Sequence, residues 1–125
     1  MFLIYNVTNR GSFEQLTHWL TEAKENCVAN SIFVLVGNQT DRTEERKVTH
    51  EEGVKFMKDN GLALFFETSA FSGENIEKAF QEAAKLIFIN YVNSEFVKGK
   101  KLNGDGKFEY GKERKNNTNE NSCCY

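Results

Sequence analysis

Three short runs of apolar residues interrupt a mostly polar sequence, and each has the length of a β-strand. They cover residues 1–7, 31–37 and 62–67. In each run, β-branched or aromatic residues occupy odd and even positions alike, so both faces of the strand would be apolar. Runs of this kind are typical of strands buried between two layers of structure. The pattern therefore predicts three strands that are covered on both faces.

An amphipathic helix is predicted between the first two strands. Ser12 and Gln15 have the spacing of a capping box, in which the two residues satisfy each other's backbone N–H groups at a helix start. Apolar residues then recur at intervals of three and four, which places them on one helix face. They are Phe13, Leu16, Leu20, Ala23 and Cys27.

Two further helices complete the pattern. Thr49 and Glu52 form a second capping box, and Gly61 ends the helix that this box opens. A third helix is predicted from about residue 75 to residue 92. The order of elements is βαβαβα, and helical crossovers between such strands favour a parallel sheet with helices on both faces. The predicted fold class is α/β, with three parallel strands and three helices.

The periodic pattern stops near residue 93. Residues 94–125 are polar, rich in Gly, Asn and Lys, and without helical or strand periodicity. Segments of this composition bury too little apolar surface to fold on their own. The sequence predicts one domain over residues 1–93 and a disordered, flexible tail over residues 94–125.

Composition and charge exclude several classes of protein. The 125 residues carry 16 basic and 18 acidic side chains, a net charge of −2, so we expect no electrostatic field that attracts nucleic acid. No apolar run approaches the roughly 18–20 residues of a membrane helix, and the start lacks the basic region of a secretory signal. The three cysteines are too few for a disulfide framework or a four-ligand zinc site.

Polar residues follow the second strand, at the kind of position where parallel α/β sheets bind ligands. The carboxylate of Asp41 can accept two parallel N–H bonds, which a guanine edge offers and adenine does not. The amide of Asn38 can read a ring edge or brace a neighbouring loop. On spacing alone, an ordinary turn is the favoured interpretation. The small residues Ser69 and Ala70, after the third strand, strengthen the purine-reading interpretation because they let backbone N–H groups approach a ligand.

These segments resemble the Rab branch of the Ras-like small GTPases. Residues 37–41 (Gly-Asn-Gln-Thr-Asp) are similar to that family's Asn-Lys-x-Asp guanine motif, and residues 67–70 (Glu-Thr-Ser-Ala) to its Ser-Ala-Lys loop. Residues 2–13, 18–20 and 66–80 also follow Rab usage, in order and at the right separations. The resemblance covers residues 1 to about 110. It implies the C-terminal half of a P-loop GTPase fold, which is Rossmann-like.

The resemblance also implies a role for each residue of the two loops. Asp41 would hold the guanine N1–H and exocyclic amine, and Asn38 would bind the ring edge and tie the two loops together. The backbone N–H of Ala70 would face the guanine carbonyl, and Ser69 would support Asp41. The bound cofactor would be GTP or GDP.

Two positions depart from the family pattern. Gln39 stands where the family has a lysine whose stem packs along the nucleotide, and Phe71 stands where the family has the lysine after Ser-Ala. Phe71 could still cover the base or ribose with the face of its ring. Gln39 keeps an amide but loses the charge. Both changes predict weaker nucleotide binding and no change of ligand.

Several catalytic parts of the family are absent from the sequence. It contains no Gly-x-x-x-x-Gly-Lys-Ser/Thr phosphate loop, no switch threonine before a strand and no Asp-x-x-Gly segment. GTP hydrolysis in this family depends on those parts and on Mg²⁺. We therefore expect the chain to be inactive alone, with Mg²⁺ bound only in a full-length form. A base reader alone is expected to hold guanosine at roughly millimolar affinity, about 4 kcal/mol.

Two adjacent cysteines, Cys123 and Cys124, follow a basic tail and precede Tyr125. The simplest interpretation is two inert thiols. By resemblance to Rab proteins, the pair is a signal for double geranylgeranylation, and two lipid chains anchor a protein stably. The expected location is then the cytoplasmic face of Golgi or endosomal membranes.

The expected function is that of a Rab-like small GTPase, as a fragment or truncated form, which binds guanine nucleotide and switches by GTP hydrolysis in vesicle-mediated traffic. Its expected partners are prenylation escorts, GDP-dissociation-inhibitor-type proteins, traffic effectors and a membrane, with no nucleic acid. A non-catalytic, lipid-anchored Rab-like binding module is the alternative. An unrelated three-layer α/β domain, such as a flavodoxin-like fold, is a third possibility.

Overall fold

A parallel three-stranded sheet forms the centre of the protein. The computed structural model describes residues 1–28 and 31–97. Its strands are β1 (Phe2–Asn6), β2 (Val34–Asn38) and β3 (Leu64–Thr68), and they lie in the order β1-β2-β3. Both neighbouring pairs are parallel. The prediction of an α/β fold with three parallel strands is confirmed.

Helices connect the strands and follow the last one. They are α1 (Arg10–Glu14), α2 (Leu16–Asn26), α3 (His50–Asn60) and α4 (Ile76–Val97). A short 3₁₀ turn, Thr43–Glu45, precedes α3. The single helix predicted between β1 and β2 is therefore two segments that meet at Gln15, and α4 runs five residues past its predicted end at residue 92. Residues 94–97 of the tail predicted over residues 94–125 lie in α4, and the rest of that tail lies outside the described residues.

The predicted capping box at Ser12 and Gln15 is wrong. Helix α1 is capped by Asn9, whose Oδ1 accepts a hydrogen bond from the Ser12 backbone N at 3.3 Å. Asn is among the best N-cap residues, so the helix starts earlier than predicted. The Ser12 hydroxyl is used elsewhere, because it accepts from the backbone N of Asn6 at 3.0 Å and donates to the Asn9 carbonyl at 2.7 Å.

The predicted ends of α3 are confirmed. Thr49 Oγ1 accepts from the Glu52 backbone N at 3.3 Å, and a Glu52 carboxylate oxygen accepts from the Thr49 backbone N at 2.9 Å. Gly61 then ends the helix in the left-handed conformation, with φ of 67°. The two caps set where α3 starts and stops between β2 and β3.

The two faces of the sheet are covered unequally. Helices α1, α2 and α3 pack on one face, where the buried core is Leu3, Tyr5, Val7, Leu16, Leu20, Leu35, Val48 and Leu62. The other face carries only α4 among the described residues, and its buried core is Val34, Val36 and Ala83. None of the described helices is both long enough and apolar enough to span a bilayer.

The prediction that every strand is covered on both faces is wrong for β1. Leu3 and Tyr5 face the three-helix layer and are buried, whereas Ile4 points to the other face and is 62% exposed. The reason is that α4 covers the central strand and leaves the outer part of the sheet face open. The central strand β2 is buried from Val34 to Gly37, as its two-sided apolar pattern predicts.

Gly37 provides a sharp test of the packing between β1 and β2. An alanine Cβ at this position would lie 2.8 Å from the Tyr5 hydroxyl oxygen and 3.2 Å from Val7 Cγ1, and both neighbours are buried. We expect Gly37→Ala to lower the free energy of unfolding by about 1–3 kcal/mol in urea denaturation, because well-packed cores resist added methyl groups.

Gly11→Ala is the matched control for this substitution. Gly11 is exposed in α1, and the nearest atom to an added Cβ is 3.4 Å away. Replacing a helical glycine there should change the free energy of unfolding by between zero and about 1 kcal/mol in the stabilising direction. Equal effects at the two positions would contradict the packing described here.

The buried phenol of Tyr5 makes stability depend on alkaline pH. Burial, and secondly the Glu67 carboxylate, raise the pKa of Tyr5 above its ordinary value. The neutral phenol therefore contributes stability that is fully present below about pH 10, the ordinary tyrosine pKa, and is lost as the pH rises further. We expect the unfolding free energy of the wild type, relative to Tyr5→Phe, to fall between pH 9 and pH 11. Parallel pH profiles for the two proteins would contradict this.

Candidate functional site

The polar residues that follow β2 and β3 lie side by side. The parallel register pairs Gly37 with Glu67 and Asn38 with Thr68, so the two strands end at the same level. The loops that leave these ends therefore start next to each other, at the edge where parallel sheets bind ligands. This level ending brings together the candidate residues that stand about thirty positions apart in sequence.

Asn38 links the two loops through its side-chain oxygen. Its Oδ1 accepts from the Thr68 hydroxyl at 3.2 Å and from the Ala70 backbone N at 3.1 Å. Among the described residues, no hydrogen bond from Asn38 Nδ2 is found. The Asn38 side chain therefore holds the two loops together through its oxygen, and its Nδ2 group can donate to a further partner.

Asp41 is held by Ser69 from the other loop. The Ser69 hydroxyl donates to Asp41 Oδ1 at 2.6 Å, and the same oxygen of Ser69 accepts from the Ser72 backbone N at 3.1 Å. Ser69 is fully buried whereas Asp41 is exposed. The buried Ser69 hydroxyl therefore orients the Asp41 carboxylate, which keeps acceptor positions open to solvent.

Gln39 adopts a backbone conformation that its residue type does not favour. Its φ of 71° is left-handed, a region that non-glycine residues enter at a cost. Its side-chain Oε1 is buried and has no hydrogen-bond partner within residues 1–28 and 31–97. Nothing in the sequence pattern indicates this conformation. Gln39, which lies between Asn38 and Asp41, is therefore both strained in its backbone and unpaired at its buried side-chain oxygen.

Ala70 and Phe71 lie at the surface beyond the Asn38 link. The Ala70 N–H donates to Asn38 Oδ1, so a ligand carbonyl would share this donor with Asn38 or take it over. Phe71 is 90% exposed, which leaves both faces of its ring open. Its position next to Ala70 gives the site an apolar surface suited to a flat ring.

Three site residues escaped the sequence analysis as functional candidates. Thr68 is buried and holds Asn38. Asn75 Nδ2 donates to the Glu67 carbonyl at 2.9 Å from a left-handed conformation, and Thr40 Oγ1 lies 3.5 Å from a Glu74 carboxylate oxygen. The Asn at position 75 was the one available signal, because Asn tolerates the left-handed conformation.

An ion pair beside the site ties the connection before α3 to the end of β3. Arg46 Nη1 and Nη2 contact the two Glu67 carboxylate oxygens at 2.6 and 3.2 Å. His50 Nδ1 lies 3.4 Å from one of these oxygens. The hydrogen bonds that Arg46 donates to the Glu67 carboxylate raise the pKa of Arg46 above its ordinary value. The pair fixes Glu67, and with it the start of the second loop.

The described residues contain no candidate metal site, and they do not include the predicted lipidation positions. No group of three or more His, Cys, Asp or Glu residues there could hold a metal ion. Cys123 and Cys124, the predicted lipidation positions, lie outside the described residues.

Comparison with known proteins finds a family model and a curated relative that match most of this chain. The family model described as "Ras family" matches residues 1–89. The chain is 40% identical over 93 residues to "Ras-related protein Rab-4" of Dictyostelium discoideum. The match covers 74% of this chain and 45% of that relative, so the chain spans less than half of its relative's length.

The Arg46–Glu67 pair should matter more for stability than a similar pair at the surface. The two side chains are only 25% and 17% exposed, so Arg46→Met would leave a partly buried carboxylate without its guanidinium partner. We expect the free energy of unfolding in urea to fall by about 1–3 kcal/mol.

Arg42→Met is the matched control, because Arg42 contacts Glu45 with the same two-pronged geometry at 3.0 and 2.7 Å. That pair is about half exposed, at 48% and 57%, and its loss should cost no more than about 0.5 kcal/mol. A larger loss for Arg42→Met than for Arg46→Met would contradict the ranking by burial.

Proposed function

The chain belongs to the Ras family of small GTPases, and from this membership we propose that its two adjacent loops read the guanine base of a nucleotide. The observation that carries the proposal is the Asn38 link, which joins the loop of Asp41 to the loop of Ser69 and Ala70. An unrelated flavodoxin-like domain is excluded by the family match over residues 1–89.

Each loop residue has a role in the proposed site. Asp41, oriented by Ser69, accepts from the guanine N1–H and exocyclic amine, because a carboxylate offers two parallel acceptors. Asn38 donates from Nδ2 to the ring edge while its Oδ1 keeps the loops together. The guanine carbonyl would compete with Asn38 Oδ1 for the Ala70 N–H.

Gln39 and Phe71 set the strength of binding in this proposal. Phe71 supplies an exposed ring on which the base or ribose can lie. Gln39 has no charge to offer to the nucleotide, and its strained backbone lies directly in the base loop. The base contacts alone should hold guanosine at roughly millimolar affinity, about 4 kcal/mol.

For the whole protein, we propose a Rab-type switch that binds GTP and GDP and hydrolyses GTP in vesicle-mediated traffic. The support is 40% identity to a Rab-related relative, of which the chain spans 45%. In such an enzyme, Mg²⁺ and a phosphate loop supply the phosphoryl-transfer chemistry. Traffic effectors, GDP-dissociation-inhibitor-type proteins and prenylation escorts are the proposed partners. The alternative of a non-catalytic lipid-anchored module stays a prediction.

We also propose that Cys123 and Cys124 carry lipid. Two chains would anchor the protein stably, whereas one chain binds a membrane only marginally. The proposed location is the cytoplasmic face of Golgi or endosomal membranes. The support is the pair of adjacent cysteines, which follows a segment with several lysines.

Asp41→Asn tests the base-reading proposal by changing the ligand. An amide presents one acceptor and one donor where the carboxylate presents two acceptors. Guanine then loses a partner for its exocyclic amine, and an unpaired polar group costs roughly 1–3 kcal/mol, about tenfold or more in Kd. Xanthine has a carbonyl at that ring position and suits the amide. We expect the variant to bind xanthosine better than guanosine in an NMR titration of the full chain.

Asp59→Asn is the matched control, because Asp59 is an exposed aspartate on α3, outside the two loops. It should keep the wild-type preference for guanosine. Unchanged preference in Asp41→Asn, with the circular dichroism spectrum retained, would overturn the proposed base reader. A variant that merely unfolds would bind neither nucleoside and would show a changed spectrum.

A further inference from the structure

The loop between β3 and α4 is closed by hydrogen bonds between its two ends. The Ser69 N–H donates to the Glu74 carbonyl at 3.2 Å, and the Gly73 N–H donates to the Ser69 carbonyl at 2.8 Å. The Ser72 N–H donates to Ser69 Oγ at 3.1 Å. Ser69 therefore takes part in the closure with its backbone and with its side chain.

Asn75 joins the end of this loop to both neighbouring elements. Its side-chain Nδ2 donates to the carbonyl of Glu67, near the end of β3, at 2.9 Å. Its own carbonyl accepts from the Ala79 N–H, in the first turn of α4, at 3.0 Å. Its backbone is left-handed, with φ of 56°. One residue thus connects the end of β3 to the start of α4 across the closed loop.

Few residue types meet both requirements of this position, a left-handed backbone and a side-chain donor. Glycine adopts the conformation but has no side chain. Aspartate also adopts it, but its ionised carboxylate would present only acceptors to the Glu67 carbonyl, which is itself an acceptor. Glutamine has the amide donor but enters the left-handed region at a cost. Asparagine supplies the donor and the conformation together.

We propose that Asn75 is a positioning residue for guanine reading, and this inference rests on the function proposed above for the two loops. Asn75 closes the second loop and so fixes Ser69, whose hydroxyl donates to Asp41 Oδ1 at 2.6 Å. The direction of the Asp41 carboxylate therefore depends on a residue that is not required to touch the nucleotide.

The exocyclic amine of guanine is the group on which this positioning acts. Guanosine offers Asp41 two parallel N–H groups, at N1 and at the amine, whereas inosine offers N1–H alone. A carboxylate that is free to rotate still accepts one N–H bond, but it no longer holds both oxygens in line with two donors. Loss of positioning therefore lowers the affinity for guanosine more than the affinity for inosine. A general loosening of the fold would lower both affinities alike.

Asn75→Gly tests the proposal in NMR titrations of the full chain with guanosine and inosine. The variant keeps the left-handed conformation accessible and removes the Nδ2 donor. Asn75 is exposed, so the substitution opens no cavity in the core. We expect the ratio of guanosine to inosine affinity to fall about twofold to tenfold from its wild-type value, the range for one lost hydrogen bond. Asn75→Asp removes the same donor without the flexibility of glycine and should lower the ratio as well.

Asn60→Gly is the matched control. Asn60 Nδ2 also donates to a backbone carbonyl, that of Phe56, at 2.9 Å. This bond lies at the end of α3, outside the two loops. The control therefore loses a hydrogen bond of the same kind and length and should keep the wild-type ratio of the two affinities.

A double-mutant cycle with Ser69→Ala tests the route by which Asn75 acts. If Asn75 works through the Ser69 hydroxyl, Asn75→Gly should change the affinity ratio little once that hydroxyl is gone, because the effects of coupled residues are not additive. Equal effects of Asn75→Gly in the two backgrounds would overturn the proposed route.

Amide hydrogen exchange tests the closure of the loop without any nucleoside. The Ser69 and Gly73 amides should exchange about twofold to tenfold faster in Asn75→Gly than in the wild type. Their exchange should be unchanged in Asn60→Gly. Unchanged exchange in Asn75→Gly would overturn the proposed closure.

The titrations separate failure of this inference from failure of the proposed function. A wild type with no preference for guanosine over inosine would overturn the base reader, and the role of Asn75 with it. A wild-type preference that Asn75→Gly leaves intact would overturn the role of Asn75 alone. An equal loss of preference in Asn75→Gly and Asn60→Gly would also overturn it, because the effect would then be general.

Discussion

The parallel register of β2 and β3, which ends both strands at the same position, is the constraint on which the candidate site depends. Because Asn38 and Thr68 are paired in register, one amide oxygen can accept from the Thr68 hydroxyl and the Ala70 N–H at once. A slip by one residue would turn Asn38 to the opposite face of the sheet. On the other side of β2, Gly37 pairs with Tyr5 of β1 and leaves room for the buried Tyr5 ring.

The two faces of the sheet are covered unequally, and this difference decides which strand residues are buried. Three helical segments bury Leu3 and Tyr5 on one face, whereas α4 alone leaves Phe2 half-buried and Ile4 exposed on the other. The buried face gives the sheet its stability and holds the loops at the ends of β2 and β3. Within the described residues, the other face is covered by α4 alone and leaves Ile4 exposed.

Much of the fold could be predicted because its signals are local. The two-sided apolar runs indicate parallel strands, and Thr49, Glu52 and Gly61 define α3 by side chains that act on their own backbone. The start of α1 was mispredicted because Asn9 and Ser12 both have N-cap chemistry and the sequence does not rank them. The exposure of Ile4 could not be predicted, because its residue type is the same whether or not a helix covers it.

Some features of the candidate site could likewise be predicted from the sequence, and others could not. Asn38, Asp41 and Ser69 could be named from the residues and the family resemblance, and the structure brings them together. The left-handed backbone of Gln39 could not be predicted, because glutamine rarely adopts it and only the surrounding loop imposes it. The bond from the Ala70 N–H to Asn38 could not be predicted either, since it depends on a register between segments distant in sequence.

Backbone amide shifts of the wild-type chain, recorded by NMR during titration with guanosine, inosine and adenosine, test the central claim most directly. The account predicts that guanosine shifts the amides of residues 38–41 and 69–72, with Ala70 among the most affected because its N–H already bonds Asn38. Inosine, which lacks the exocyclic amine, should bind more weakly, and adenosine should leave these amides unchanged. Equal shifts with all three nucleosides, or shifts confined to other parts of the chain, would contradict a guanine reader at these loops.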